Sequence, residues 1–500
     1  MKTFGELLRI HIEKSGFNIY QFARISGVNR VNIQRYIANQ RFPSKDVFKT
    51  LKSHLQLPPT EQKELDTAYQ ISKVGKQLYY RRQSVKKLIE SVSLLYENKE
   101  QRPGIYLEPP SRNASYSPPC KKEGDIYPVS GFFNIRCLFQ TELSRVARIS
   151  ENPFVYLFLP APPEQTFLID GLTALFPFQG PPVQITQIFP LSQTNSGTDD
   201  QGHNLNIMSS ILPLSFSTYF QYEAWFYYDN CMSDKNYGLL YPYYAIFNDC
   251  VLIFSLDMKS AFLSTQNALV KLFQSGFLNR LQHCQKLIHT TSNYLDILKY
   301  CLSSASDGFH TEYLLNYHPC LVSVGDLDMA KALLREDAEN RNTLLDFVTD
   351  RFALLQNPDC PPYHYFSIDG LMDFVESGTC SEFPASLVKV IPFSIRKTLI
   401  NRLREACETD RQILRITDPE TFPIPDCLNL NVTEISAFLA NYKNDSSWSI
   451  ISIEETDIRF SFIDFLTFLP ESSYVYSKEK TLEILDLASE KLKEKELEGT

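Results

Sequence analysis

The sequence predicts a multidomain protein in which an all-α N-terminal domain with a helix-turn-helix and a long coupling helix precedes an α/β or α+β region with a helix-rich end. Capped amphipathic helical patterns occupy residues 1–97, and a proline-rich stretch follows. About 370 residues lie beyond that stretch, which is too many for one compact core. The predicted segments are the helix-turn-helix domain at 1–58, the coupling helix at 59–97 and a proline-rich linker at 98–130. An α/β sensor domain at 131–300 and a helix-rich α+β domain at 301–500 follow.

Residues 18–26 predict the first of two short helices. Asn18 is a suitable N-cap, because its side-chain oxygen can accept a hydrogen bond from an amide that the first helical turn leaves unpaired. Gly27 can adopt a left-handed conformation at the helix end, and Val28 is apolar enough to pack beneath the turn. The side chains expected on the inner face of this helix are Phe22, Ala23 and Ile25.

Residues 29–39 predict the second short helix. Asn29 can cap it, and Ile33 and Ile37 are spaced to face inward. Its outward residues are Arg30, Val31, Asn32, Gln34 and Arg35. An exposed helix of this kind suits the DNA major groove, since arginine pairs with guanine and Asn or Gln pairs with adenine.

Residues 4–57 resemble the DNA-binding domain of the lambda-repressor-like (Cro/CI, XRE) regulators. The opening helix FGELLRIHIEKSG, the turn NQRFPS and the closing helix VFKTLKSHLQL complete the pattern. The resemblance implies base contacts from Arg30, Val31, Asn32 and Arg35. The residues expected at the DNA backbone are Asn18, Asn29, Gln34 and Arg41. The sequence departs from the family at Ile19, where a phosphate-binding Gln is usual, and at Asn39, where Gly is usual.

The charge distribution places double-stranded DNA at the N-terminal end. Residues 1–102 carry 19 Lys and Arg against 9 Asp and Glu, whereas residues 103–500 carry 30 against 49. Only the basic part can neutralise phosphates and release counterions. Because one small domain of this type binds DNA weakly, a homodimer that reads two half-sites about one helical turn apart is expected.

Residues 59–97 predict a single long helix that begins after Pro58 and Pro59, with Thr60 as a cap, and runs over 61–97. Its apolar seam consists of Ile71, Val74, Leu78, Arg81, Val85, Leu88, Val92 and Leu95, with Arg81 as one polar interruption. This seam could pair two copies of the chain or pack against the C-terminal part of the same chain. The pattern favours neither alternative.

The C-terminal region alternates short apolar runs with helical patterns. Strands are predicted at PFVYLFLP, VQITQIFPL, AWFYYDN, YYAIFN, CVLIFSL, QILRI and WSIISIEE, and helices at 167–176, 259–280, 328–334, 342–355, 394–408 and 481–498. Tyrosines crowd residues 219–244, which suits a pocket for a small-molecule or peptide effector. The candidate effector-binding residues are Tyr227, Tyr228 and Asp229. Alternatively, this tyrosine-rich segment forms an aromatic sheet core or a dimer surface.

Several function classes lack support in the sequence. Phosphate-binding glycine loops, the G-x-S-x-G nucleophile pattern and the H-E-x-x-H pattern are absent, and glycine is scarce at 18 of 500 residues. The 11 cysteines form no C-x-x-C pair, and His283-Cys284 with His289 or His318 with Cys320 are the nearest approach to a metal ligand set. We therefore expect no enzyme, no cofactor and no metal.

The absence of a signal-peptide pattern and of a long apolar run predicts a cytoplasmic protein without a membrane segment. The interpretation that fits these observations is a sequence-specific DNA-binding transcription regulator with a C-terminal sensor or dimerisation region. A protein- or peptide-interaction platform placed on DNA is the alternative, and an enzyme with a DNA-binding head is a third.

Overall fold

The computed structural model describes residues 2–92, 126–159, 182–193, 202–215, 220–229, 240–291, 310–382, 385–426, 428–442 and 448–498. The chain divides into two compact units, Met1–Gln83 with Asp199–Gly202, and the remainder. Apart from residues 199–202, both regions predicted as C-terminal domains belong to the second unit. The linker residues 98–125, the end of the coupling helix and the helix predicted at 167–176 lie outside the described residues.

Helices build the first unit: α1 (Phe4–Lys14), α2 (Ile19–Ser26), α3 (Arg30–Ile37), α4 (Lys45–Leu55) and α5 (Pro59–Val74). An aromatic cluster holds its centre, where the Phe48 and Tyr69 rings stack at 4.0 Å and Phe4 lies edge-on to both. The Tyr69 hydroxyl donates a hydrogen bond of 2.8 Å to the Pro43 carbonyl. Burial of these rings attaches α5 to the four helices that precede it.

The predicted coupling helix is two helices. Gly75, with φ 88°, ends α5, and α6 (Lys76–Ser91) begins directly after it. In the last turns of α6, Val85, Leu88 and Ile89 are fully buried in the core of the second unit. This part of the predicted seam therefore packs within the chain, which is one of the two alternatives that the sequence left open.

Two mixed sheets form the second unit within the described residues. The strands of the first are β1 (Ile126–Ser130), β2 (Phe154–Phe158), β3 (Val183–Leu191), β4 (Phe220–Tyr228), β5 (Tyr243–Phe247), β6 (Val251–Phe254), β7 (Ser260–Ser264) and β8 (Gln285–Lys286), in the order β1-β7-β6-β5-β2-β3-β4-β8. Those of the second are β9 (Ile288–Thr291), β10 (Tyr313–Asn316), β11 (Tyr363–Ser367), β12 (Ile413–Thr417), β13 (Leu428–Val432), β14 (Ala437–Tyr442) and β15 (Trp448–Ile453), in the order β12-β11-β10-β13-β14-β15-β9.

The two sheets have the same connectivity. In the first sheet, β2, β3 and β4 run parallel, β2 pairs with the antiparallel meander β5-β6-β7, and β1 pairs with β7. In the second sheet, β10, β11 and β12 run parallel, β10 pairs with the antiparallel meander β13-β14-β15, and β9 pairs with β15. Strands β1 to β7 thus correspond to strands β9 to β15. The second unit is a structural repeat that the sequence pattern did not reveal.

Leu287 joins the two sheets. Its amide donates to the Ala224 carbonyl of β4 at 2.9 Å, and its carbonyl accepts from the Glu454 amide, after β15, at 3.1 Å. Because Leu287 lies between β8 and β9, one extended segment passes from the edge of one sheet to the edge of the other. The side chain is fully buried in the core that both sheets share.

Nine helices of the described chain cover these sheets: α7 (Phe132–Ile149), α8 (His203–Ser215), α9 (Asn267–Leu281), α10 (Leu327–Leu333), α11 (Arg341–Leu355), α12 (Ile368–Ser377), α13 (Phe393–Glu408), α14 (Thr456–Phe468) and α15 (Lys478–Glu498). The helix predicted over 259–280 is wrong at its start, because Ser260–Ser264 forms β7. That stretch alternates buried and half-buried residues, as an edge of a meander does. None of the helices in the described part of the chain is long and apolar enough to span a bilayer.

Candidate nucleic-acid interface

Local capping shapes the two helices α2 and α3. The Asn18 side chain accepts from the Gln21 amide at 2.9 Å, and the Gln21 side chain accepts from the Asn18 amide at 3.0 Å. Gly27 takes the predicted left-handed conformation with φ 68°, and Asn29 accepts from the Val31 amide at 2.8 Å. These short-range hydrogen bonds fix where each helix begins and how the chain turns between them.

Four of the five residues predicted to face outward on α3 are exposed. Arg30, Gln34 and Arg35 are exposed, Val31 is 51% exposed, and Asn32 is half-buried. The opposite face of the helix buries Ile33 and Tyr36 against the other helices of the first unit, with Ile37 half-buried beside them. Because the apolar residues anchor one side of α3, its polar side is available to a partner.

The inner face of α2 differs from the prediction at one position. Ile25 is 48% exposed, whereas Ser26 is buried and its hydroxyl donates to the Phe22 carbonyl at 2.7 Å. Phe22 and Ser26 are four residues apart and define the buried side, so Ile25 is rotated by about 100° from Ser26 toward solvent. The small hydroxyl suits the space between the crossing helices, and the Phe22 carbonyl satisfies it.

The start of α1 fixes the end of α3. A Cβ atom at Gly5 would lie 2.2 Å from the Ile37 carbonyl oxygen, so only glycine permits this approach. Asn39 adopts the left-handed conformation with φ 54°, as expected for the residue in place of the usual glycine. Its side chain accepts from the Gly5 amide at 2.9 Å and donates to the Thr3 hydroxyl at 3.1 Å.

Some basic side chains in the first unit form ion pairs within the described residues, and four exposed arginines do not. Arg9 pairs with Glu13 at 2.9 Å, and others pair between helices, Lys14 with Glu61 at 2.8 Å and Lys52 with Asp66 at 2.9 Å. Four exposed arginines have no acidic partner within 4.0 Å among the described residues: Arg24, Arg30, Arg35 and Arg41. Their charge is therefore not offset by a neighbouring carboxylate.

Of these four arginines, Arg24 alone was not predicted to contact DNA. It lies on α2, two residues before the turn, and is exposed. The signal that could have identified it is its position among apolar neighbours on the outward side of a capped helix. All four residues that were expected to contact the DNA backbone are exposed: Asn18, Asn29, Gln34 and Arg41.

The proposed effector residues do not converge. On β4, Tyr227 faces the aromatic layer beneath α9, where the Arg280 guanidinium lies 5.9 Å from its ring centre. Tyr228 faces the other side of the sheet, and its hydroxyl donates to the Glu455 carboxylate at 2.8 Å. Burial and that carboxylate raise the pKa of Tyr228. Asp229 ends the strand with its amide bound to the Leu191 carbonyl.

Within the described ranges, no three His, Cys, Asp or Glu side chains are grouped so that they could hold a metal ion. The seven described cysteines are all free thiols: Cys137, Cys250, Cys284, Cys320, Cys360, Cys380 and Cys407.

No protein-family model and no curated protein matches the chain. Among solved structures it is similar to TrmBL2, an archaeal chromatin protein with "a novel mode of DNA binding", at 12% identity and TM-score 0.20, over 54% of this chain and 88% of that one. It is also similar to phosphatidylserine synthase of Haemophilus influenzae Rd KW20 (8%, TM-score 0.24, 74% and 93%) and to polyphosphate kinase of Porphyromonas gingivalis (9%, TM-score 0.20, 73% and 56%). Such low TM-scores carry no argument about fold or function.

Proposed function

We propose that this protein is a cytoplasmic, sequence-specific transcription regulator of the lambda-repressor-like type, and that α2 and α3 are its helix-turn-helix. One observation carries the proposal: α3 is anchored by buried apolar residues, and its polar side carries two exposed arginines, Arg30 and Arg35, without acidic partners among the described residues. An unpaired arginine loses less on moving to a phosphate or a guanine than one that must first leave a carboxylate.

Each outward residue of α3 has a role in this proposal. Arg30 and Arg35 bind guanine edges, and Asn32 binds adenine. Val31, whose apolar side chain is half in solvent, contacts a thymine methyl group. The side-chain oxygens of Asn18 and Asn29 cap the helices, so the side-chain NH2 groups of these residues donate to the DNA backbone. Gln34 and Arg41 also donate to the DNA backbone.

Two copies of the chain would place two α3 helices on half-sites about one helical turn apart. A small-molecule or peptide effector on the second unit would change the spacing or orientation of these helices and so alter the affinity for the operator. The repeat of two sheets is the sensor and dimerisation region in this scheme.

Selection of binding sites from a random duplex pool tests the proposal. We expect the full-length protein to recover an inverted repeat, and Arg30→Ala and Arg35→Ala each to lose preference at a defined base pair, at a cost of roughly 1–3 kcal/mol per contact. Arg9→Ala is the matched control, because Arg9 is exposed but paired with Glu13. Recovery of no motif, or equal losses in all three variants, would show that α3 does not read DNA.

A further inference from the structure

A second set of polar side chains lies at the carboxyl end of the parallel strands of the second sheet. His318 follows β10 by two residues, Asp373 lies on α12 directly after β11, and Ser381 lies in the turn that leaves α12. The carboxyl ends of parallel strands are where open α/β sheets place their ligand sites. These three residues are far apart in sequence and share no motif with one another.

Hydrogen bonds join the three side chains in a line. The Ser381 hydroxyl oxygen lies 2.8 Å from His318 Nδ1, and His318 Nε2 lies 2.9 Å from an Asp373 carboxylate oxygen. The Ser381 backbone amide also donates to Nδ1, at 3.3 Å. Since an amide N–H can only donate, Nδ1 is the acceptor, and Nε2 carries the proton that faces Asp373. The Ser381 hydroxyl therefore donates to a nitrogen that can take its proton.

The backbone around this line is held tightly. The Tyr317 carbonyl accepts from the Ser367 amide at 3.1 Å and from the Ser367 hydroxyl at 2.8 Å. At Gly370 a Cβ atom would lie 1.9 Å from the same carbonyl, so α12 approaches the strand end as closely as only glycine allows. Gly378, with φ 69°, then ends α12 and redirects the chain toward Ser381. These contacts set the positions of the end of β10, of α12 and of the turn that carries Ser381.

The surroundings favour a neutral imidazole and an accessible hydroxyl. Burial lowers the pKa of His318, whereas the Asp373 and Asp426 carboxylates act in the opposite direction. His318 is 7% exposed, while Ser381 is partly exposed and Asp373 is exposed. The Asn429 side-chain nitrogen lies 3.5 Å from the Ser381 hydroxyl oxygen, near enough to donate to an oxygen that becomes negative beside it.

The charge around the site selects among substrates. Asp369 and Asp373 lie one turn apart on α12, and burial together with the carboxylates of Asp369, Asp373 and Asp426 raises the pKa of the neighbouring Tyr317 hydroxyl. Such a negative site repels phosphates and other anions. The Tyr317 ring, 4.9 Å from that of His318, adds an apolar wall.

We propose that Ser381, His318 and Asp373 form a nucleophilic site that hydrolyses neutral or positively charged carboxylic esters. Ser381 is the nucleophile, His318 the general base, and Asp373 the residue that positions His318. This activity lies outside the proposed DNA-binding function and does not depend on it. The sequence predicted no enzyme because the three residues lie outside any known nucleophile motif.

The reaction proceeds in two steps. The Ser381 hydroxyl oxygen attacks the ester carbonyl carbon while its proton passes to His318 Nδ1, and Asn429 donates to the negative carbonyl oxygen. The carbon–oxygen bond to the alcohol breaks, and the alcohol leaves with the proton from His318. Water, activated by His318, then attacks the acyl-serine and releases the carboxylic acid and the free Ser381 hydroxyl.

A fluorophosphonate with a neutral alkyl chain tests the site in the full-length protein. We expect one adduct per chain, in which the Ser381 oxygen displaces fluoride from phosphorus, located by peptide mass spectrometry. Ser381→Ala should lose the adduct and the hydrolysis of p-nitrophenyl butyrate, and His318→Gln should slow both roughly 100-fold or more. Ser377→Ala is the matched control, because Ser377 is exposed at the end of α12 and its hydroxyl bonds to the Asp373 carbonyl and the Thr379 hydroxyl instead of a histidine.

Asp373→Asn separates positioning from mere packing. Asp373 raises the pKa of His318, so its loss should move the midpoint of the labelling rate against pH to a lower pH, besides slowing the reaction. Thermal unfolding of every variant monitors the fold. Absence of an adduct at Ser381 in a folded wild-type protein, or wild-type ester hydrolysis by Ser381→Ala, would overturn the proposal and leave the three residues a purely structural link.

Discussion

His364 shows how two hydrogen bonds fix the charge of a buried residue. Its Nε2 accepts from the Cys320 amide at 2.9 Å, so its Nδ1 carries the proton and donates to the Gln412 side-chain oxygen at 3.1 Å. Gln412 donates in turn to the Ser323 carbonyl at 3.0 Å. Burial lowers the pKa of His364 from 6.5 to about 4, although the bond to Gln412 opposes this shift.

This residue makes stability depend on pH. Between pH 6.5 and about 4 the unfolded chain binds a proton at His364 and the folded chain does not, so the free energy of unfolding falls as pH falls through that window. The loss should approach roughly 3 kcal/mol. Denaturant unfolding at pH 7 and pH 4.5 should show a smaller difference for His364→Gln than for wild type. His283→Gln, at an exposed position, should keep the wild-type difference.

At single residues, the sequence predicts what depends on neighbours along the chain. Asn18, Gly27 and Asn29 have the capping and turn roles expected of them, because each acts within three residues of its position. The exposure of Ile25 was missed, since it depends on which of two adjacent residues meets a crossing helix. His318 and Ser381 meet across 63 residues, a separation over which no local pattern acts.

At the scale of helices, the contact between α1 and α3 links stability to recognition. Gly5→Ala should push the start of α1 from the end of α3, because its Cβ atom would lie 2.2 Å from a backbone carbonyl that cannot move aside alone. We expect a loss of roughly 1–3 kcal/mol in the free energy of unfolding of the first unit, and weaker operator binding although no proposed DNA contact is removed.

Denaturation monitored by circular dichroism and titration of the selected operator would measure both effects. The control is Gly276→Ala in α9, where a Cβ atom has nothing within 4 Å. That change should leave operator binding intact and stabilise the helix by roughly 0.5–1 kcal/mol. Full stability of Gly5→Ala would mean that the close approach of α1 and α3 is not maintained in solution.

The break at Gly75 illustrates why element boundaries were harder to predict than elements. Apolar residues continue through it at helical spacing, so the sequence predicted one helix. In the structure, Leu65 and Tyr69 of α5 pack in the core of the first unit, whereas Leu88 of α6 packs in the core of the second unit. A glycine inside a helical pattern is tolerated or breaks the helix according to that tertiary packing.

At the scale of the whole molecule, the repeat of two seven-stranded patterns was not predictable. Seven of the fifteen described strands were, namely β2 to β6, β12 and β15, because apolar runs such as VQITQIFPL mark them. Their order in a sheet depends on pairing between distant segments, and the two halves carry different residues at corresponding strands, for instance VLIF in β6 and AFLANY in β14. Similar connectivity is therefore reached by different side chains that satisfy the same layer packing.

The uneven charge of the chain makes the first unit the expected DNA-binding part, and salt dependence tests this. Replacement of Arg24 and Arg41 by alanine should reduce the slope of log affinity against log salt by about 1 per lost phosphate contact, measured by fluorescence anisotropy between about 50 and 200 mM salt. A matched double variant removes Arg404 and Arg411 of the second unit, which pair with Asp486 and Glu405. It removes the same positive charge and should keep the wild-type slope, because residues 103–500 carry an excess of acidic groups. Equal slopes in both variants would indicate that net charge alone governs binding.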